Sequence, residues 1–272
     1  MNETLSNEEL YCSRVQSALL FSAIFLCSVL PIQSQVVSPG GNGIKDKRDL
    51  SGIWFQKGLG PSTSYRRFSI EDPPLQPWAM DIYKTNRAGV KEPNGQGLQE
   101  LDPLWYCFPP GATRSMLLNY PFEIIQVPNQ LYILFEYDHG IRRVYMDGRE
   151  HPEAYPFGWM GHSIGKWDGD TLVVDTVGLN DRTWLDRVGT PHSDALHVVE
   201  RFRRVNHNTL EIEFLFDDPK AFTKPWEGKV VYLPRPTSET NATPDSKAEI
   251  AEYVPCEEHL QIGKYREVRD RK

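Results

Sequence analysis

Residues 166–177, KWDGDTLVVDTV, decide the fold. Asp168-Gly169 stands between a short polar-aromatic run and a β-branched one. Asp-Gly in that setting is the strongest short-range hairpin signal, because both central residues of the tight turn need positive φ. The same reading extends toward the C-terminus. Runs 198–205 (VVERFRRV) and 209–216 (TLEIEFLF), joined by Asn206-His207-Asn208, form a further hairpin that sets Arg203 opposite Glu211 and Arg201 opposite Glu213 on a solvated face. Phe202 then meets Ile212 on the buried face, and the same parity turns Glu200 inward beside Phe214. One more strand is expected at 227–233.

Toward the N-terminus, 123–127, 131–137 and 141–146 read as a short-turn meander interrupted by PNQ and DHG. A three-residue Asp138-His139-Gly140 loop would place Glu136 opposite Arg142. Run 50–56 (LSGIWFQ) looks like a first strand. Between 58 and 111 the chain is proline-rich and aperiodic, with a short helix expected over 77–87 (PWAMDIYKTNR), so this part is expected to wrap over something regular. Hairpins without strand-helix-strand alternation predict an all-β fold: an antiparallel barrel or strongly bent sheet, lipocalin-like or sandwich, with a long irregular N-terminal wrap.

Composition agrees with one sizeable domain: 272 residues, 39 % hydrophobic and 25 % charged. The net charge of −7 is spread through the chain, which argues against nucleic acid as a partner. At the start, Arg14 is followed by the apolar run 18–30 (ALLFSAIFLCSVL), shorter than the ~20 residues a bilayer span needs but suited to a secretory signal. Residues 1–34 are therefore read as a removed leader and 35–49 as a flexible lead-in, with membrane contact only if the leader is retained. Glu3, Glu8 and Glu9 stand where such leaders carry basic residues. Residues 50–233 form the β domain, and 234–272 a linker and tail. Export would leave Cys107 and Cys256 as an even pair in an oxidising compartment, expected to form a disulfide that ties the tail back.

Proton-transfer groups concentrate in 159–200, which holds three of the seven histidines. Gly161-His162-Ser163-Ile164-Gly165 matches the G-x-S-x-G nucleophile elbow, with aspartates and histidines following in hydrolase order. The elbow needs a strand running in and a helix running out, whereas here a β-hairpin follows, so a serine hydrolase using Ser163 is the weaker alternative. Residues 179–189 (LNDRTWLDRVG) read as two helical turns, with Asn180 or Asp181 as cap and Gly189 as stop. In the bland version Asp186 pairs with Arg182. In the functional one this insert lids the barrel, Trp184 forms an apolar wall, and Asp181 or Asp186 turns inward beside His192. His192 and His197 match no recognised metal spacing. His197 has outward parity, and His139 and His151 read as turn residues. Asp175 and Glu200 are carboxylates embedded in apolar strands; each is either paired with an arginine such as Arg142 or shifted in pKa for acid/base work.

The strings at 120–152 (YPFEIIQVPNQLYILFEYDHGIRRVYMDGREHP), 159–205 and 210–226 resemble a family of predicted exported bacterial proteins of unknown function, frequent in acidobacteria and proteobacteria. The likeness covers about 50–226. It implies a periplasmic or secreted setting and transfers no catalytic residue.

The expectation is a barrel around a pocket for a small apolar molecule, lined by Trp159, Trp184, Asp175 and Glu200, with His162, Asp181, Asp186 and His192 at its mouth. A His/Asp pair there would support isomerase, cyclase, lyase or hydrolase chemistry without a cofactor or metal. The alternatives are a non-catalytic carrier and an envelope interaction protein, the latter favoured by a barrel packed solid.

Overall fold

Nine strands close into a barrel in chain order: β1 (Gly52–Gln56), β2 (Phe122–Val127), β3 (Gln130–Phe135), β4 (Ile141–Tyr145), β5 (His162–Asp168), β6 (Thr171–Val177), β7 (His197–Asn206), β8 (Thr209–Asp217) and β9 (Trp226–Pro234). β1 pairs with β9, so the ring has no free edge. The computed structural model describes residues 46–57, 67–69, 71–88, 101–234 and 250. Among the described residues two α-helices accompany the barrel, α1 (Pro77–Ala88) where the sequence predicts one, and the short α2 (Gly111–Ser115). The leader, Cys256 and nearly all of the tail lie outside the described residues. The last residues of the lead-in rest on the barrel, where Arg48 Nε donates to the Gly169 carbonyl at 2.9 Å.

One ladder departs from the antiparallel expectation. β4 and β5 run parallel, with Val144 beside Ser163 and Tyr145 beside Ile164. Parallel neighbours need a crossover of a dozen or more residues. Residues 146–161 supply it without a helix, and this link builds the site described below.

The hairpins form where the sequence places them, but the turns shift. Asp168 pairs with Thr171, so the turn residues are Gly169 and Asp170, and only Gly169 has positive φ (+57°), as in a type II′ turn. Asn206 pairs with Thr209 past a bulge, leaving His207-Asn208 as a two-residue turn. The pairs Arg201/Glu213, Arg203/Glu211 and Phe202/Ile212 are present as expected. The expected Glu136–Arg142 pair is absent. The β3–β4 connection is longer than three residues, with Phe135 N–H donating to the Gly140 carbonyl, and Arg142 lies opposite Ile133. This shift flips the side chains of β4, and Arg142 points inward.

The inward face, followed from ladder to ladder, carries Trp54, Phe122, Ile133, Val144, Leu172, Val198, Phe202, Ile212, Phe214 and Tyr232, none more than 2 % exposed. Side chains fill this interior. Within it Arg142 forms a two-pronged ion pair with Glu200, donates from Nη2 to Thr176 Oγ1 at 2.8 Å, and donates from Nε to Ser163 Oγ at 3.2 Å. Such a pair is tolerated in a dry interior because every charge is met. The proline-rich segment does not simply wrap the outside. Phe68 packs against the inward-facing Phe214 and Phe216, at ring distances of 4.5 and 4.8 Å. Tyr232 Oη donates to the Met116 carbonyl, which brings the chain after α2 over the interior.

Residues 179–189 form no helix. Asn180 Oδ1 accepts the Arg182 N–H in a local turn. The fully buried Asp186, instead of pairing with Arg182, accepts from Val188 N, Thr190 N and Thr190 Oγ1 at 2.8–3.1 Å. Asp, Asn and Thr side chains here satisfy backbone groups in place of a helical ladder.

Candidate functional site

The outer wall of β5, β6 and β7 presents His162, Asp175 and His197, all on the face opposite the packed interior. Opposed residues share a face. Ser163 and Thr176 pair inward, so His162 and Asp175 on either side of them point outward, as does His197 beside the inward Val198. The 146–161 link then crosses this wall and lays His151 on it. Its start is braced by Asp147, whose carboxyl is held down at about 2 by hydrogen bonds from Arg149. The Arg149 guanidinium in turn sits 3.8 Å over the Tyr145 ring. Tyr145 stacks on His162 (5.2 Å, 26°), and Tyr155 covers the same imidazole at 5.0 Å.

Four titratable side chains form one chain of hydrogen bonds. His162 Nδ1 and His151 Nδ1 are 2.8 Å apart, His151 Nε2 lies 3.0 Å from Asp175 Oδ1, and His197 Nε2 lies 2.8 Å from the same oxygen. A carboxylate only accepts, so both Nε2 atoms donate to it. With its Nε2–H committed, a neutral His151 accepts at Nδ1, and His162 must be the donor there. This network assigns the tautomers, leaving His162 with a lone pair on Nε2.

The environments push the two outer imidazoles apart. The hydrogen bond to Asp175 raises His197 above its ordinary value against the opposing effect of burial. Burial lowers His162, helped by the nearby His151 and Arg149. Asp175 is itself lowered, chiefly by its hydrogen bond with His197. One imidazole is thus favoured as the charged acid and another as the neutral base, the separation that acid/base catalysis uses.

The chain matches no family model, no curated protein and no solved structure. The site's chemistry rests on its own geometry.

The nitrogens and the carboxylate are strung end to end, and among the described residues no group of three or more His, Cys, Asp or Glu is placed to hold an ion.

Of the residues singled out from sequence, only His162 and Asp175 meet here. Asp175 faces outward with 37 % of its side chain exposed, not into a dry interior. Glu200 faces inward as parity predicts, in the pair with Arg142. Ser163 is enclosed beside Arg142 and Thr176 with no imidazole bonded to it, so the elbow reading has neither base nor helix. His192 is buried with its Nδ1 3.1 Å from the Ser193 carbonyl, and burial lowers it. Asp186 clamps its own loop. Trp184 is buried, with the Arg114 guanidinium 5.4 Å over its ring. Asp181 and Trp159 share a separate surface cleft. The four expected mouth residues do not assemble into one site: His162 lies in the histidine chain and Asp186 in its own loop, while the buried His192 feels the charge of Asp181.

Two members of the hydrogen-bonded chain, His151 and His197, look from sequence like turn and structural residues. The outward parity shared by His197 and Asp175 was a usable signal. Nothing local pointed to His151, because its position depends on the parallel crossover. Cys107 is buried beside the 3-10 turn Pro103–Tyr106.

Proposed function

We propose that this barrel protein is an acid/base enzyme working from its outer wall, on a small molecule with an apolar face. The observation that carries the reading is Asp175 accepting from His151 and His197 while His151 links onward to His162. In this reading Asp175 orients both imidazoles, His197 delivers a proton from its free Nδ1, and His162 receives one at Nε2. After turnover each end exchanges its proton with solvent, because Asp175 already accepts an Nε2–H from both His151 and His197 and so passes none between them. Tyr155, packed over the His162 imidazole at 5.0 Å, supplies an apolar landing for the substrate next to these groups. Isomerisation, elimination or hydrolysis all fit this division of labour, and none requires a cofactor.

The exported setting and the Cys107–Cys256 disulfide belong to the same proposal. N-terminal sequencing of the protein from its host and a non-reducing peptide map test them directly.

For the activity, small-molecule extract of the host is incubated in D2O with wild type and with Asp175→Asn, and compared by mass spectrometry. The expected result is a compound that gains deuterium or is consumed with wild type, at a rate lower by ~10²-fold or more in the variant. Identical extracts after both incubations would remove the catalytic reading. The filled interior would then favour the interaction protein as the second reading.

A further inference from the structure

A second site, independent of the histidine chain, lies where residues 157–159 run beside 180–182. Gly158 and Leu179 form a parallel bridge, with Gly158 N–H donating to the Gly178 carbonyl and Asn180 N–H to the Gly158 carbonyl, both at 2.9 Å. Above this backbone floor opens a cleft of about 400 Å³, the size of a small-molecule site. Its apolar wall is Phe157 and Trp159, and its polar wall is Asp181, Arg182 and Asp194.

The polar wall is held ready. The Arg182 guanidinium lies over both Phe108 and Trp159, at 4.8 and 5.2 Å, and these rings are themselves 5.5 Å apart. Trp159 is anchored through its carbonyl, which accepts the Ala112 N–H. Lying over two rings that are inclined at 59° to each other holds the guanidinium in place while its N–H groups can donate to a ligand. Asp181 is an exposed acceptor beside it.

Charge selects the ligand. The cleft wall carries one carboxylate, Asp181, for one guanidinium, Arg182, while Asp194 is paired with Lys220, whose Nζ lies 2.6 Å from its carboxylate. An anion would meet two carboxylates and a cation the fixed guanidinium, so neither gains by entering. A neutral ring with hydroxyls on its edge and C–H groups on its face gains from every wall: donors from Arg182, an acceptor in Asp181, and aromatic faces in Phe157 and Trp159. We infer that this cleft binds a neutral saccharide.

The test uses the full chain and follows backbone amide shifts of 157–159 and 180–182. Glucose, N-acetylglucosamine and cellobiose are the neutral probes, with glucuronate and glucosamine as charged counterparts. They are titrated to about 100 mM, because ligands this small bind in the millimolar range. At least one neutral sugar is expected to move these amides saturably. Binding should weaken about tenfold in Asp181→Ala, the worth of one charge-assisted hydrogen bond, and similarly in Phe157→Ala. Both side chains are exposed, and the same spectra report whether each variant is folded. The inference fails if no neutral sugar shifts these amides, if the charged sugars shift them equally, or if both variants bind like wild type.

Discussion

Asp175 and His197 are not partners in the strand ladder, yet their side chains meet at 2.8 Å on the outer wall. The ladder sets Asp175 opposite Val199, so His197 is its diagonal neighbour, within reach for a long side chain. One carboxylate oxygen therefore collects both His197 from β7 and His151 from the crossover.

This arrangement predicts a split in the imidazole titrations. In a 15N-histidine NMR titration, His197 should titrate above the ordinary value near 6.5 and His162 below it. Asp175→Asn should bring His197 down. On linkage, the stabilisation from His197 is fully present below its unfolded value and is lost as pH rises through the raised one. His162 acts the other way, costing stability as pH falls below its unfolded value. Two coincident titrations would contradict the assignment.

The Arg142–Glu200 pair predicts a large cost on breaking and a small cost on replacing. Glu200→Ala leaves a guanidinium unpaired in the filled interior and should lose about 3–5 kcal/mol in urea denaturation. Converting both residues to apolar ones, Arg142→Met with Glu200→Leu, should recover most of that loss. A loss under about 1 kcal/mol in Glu200→Ala would show that water reaches the interior.

Asp186 supports its loop with its carboxylate although burial pushes that carboxyl up. Asp186→Ala should lose about 2–4 kcal/mol, because two buried backbone N–H groups lose their acceptor. The sign with pH is the reverse of an ordinary surface carboxylate. A raised folded value means stability present at low pH is lost as pH rises through it. The melting temperature of wild type relative to Asp186→Asn should therefore be higher at about pH 4.5 than at about pH 8. No such trend would mean the carboxyl is not raised.

Two glycines separate backbone strain from crowding. Gly169 and Gly161 both have positive φ, but a Cβ at Gly169 meets nothing within 4 Å, while one at Gly161 would lie 2.6 Å from the Val177 carbonyl oxygen. Gly169→Ala should cost about 1 kcal/mol. Gly161→Ala should cost more, and it should disturb the His162 resonance as β5 shifts. Equal costs would mean the Val177 carbonyl gives way freely.

Period-two alternation and turn residues by themselves determined the all-β class, the hairpins, the inward Glu200 and the Arg201/Glu213 and Arg203/Glu211 pairs, because strand parity is a local property of the chain. The same local information misplaced Arg142, since a slightly longer β3–β4 connection reverses every side chain that follows it. Tertiary structure alone decided that β4 and β5 run parallel, that the connecting residues cross the outer wall, and that His151 therefore reaches Asp175. Contacts between residues far apart in sequence depend on ring closure and crossover path, and neither is encoded in a local period.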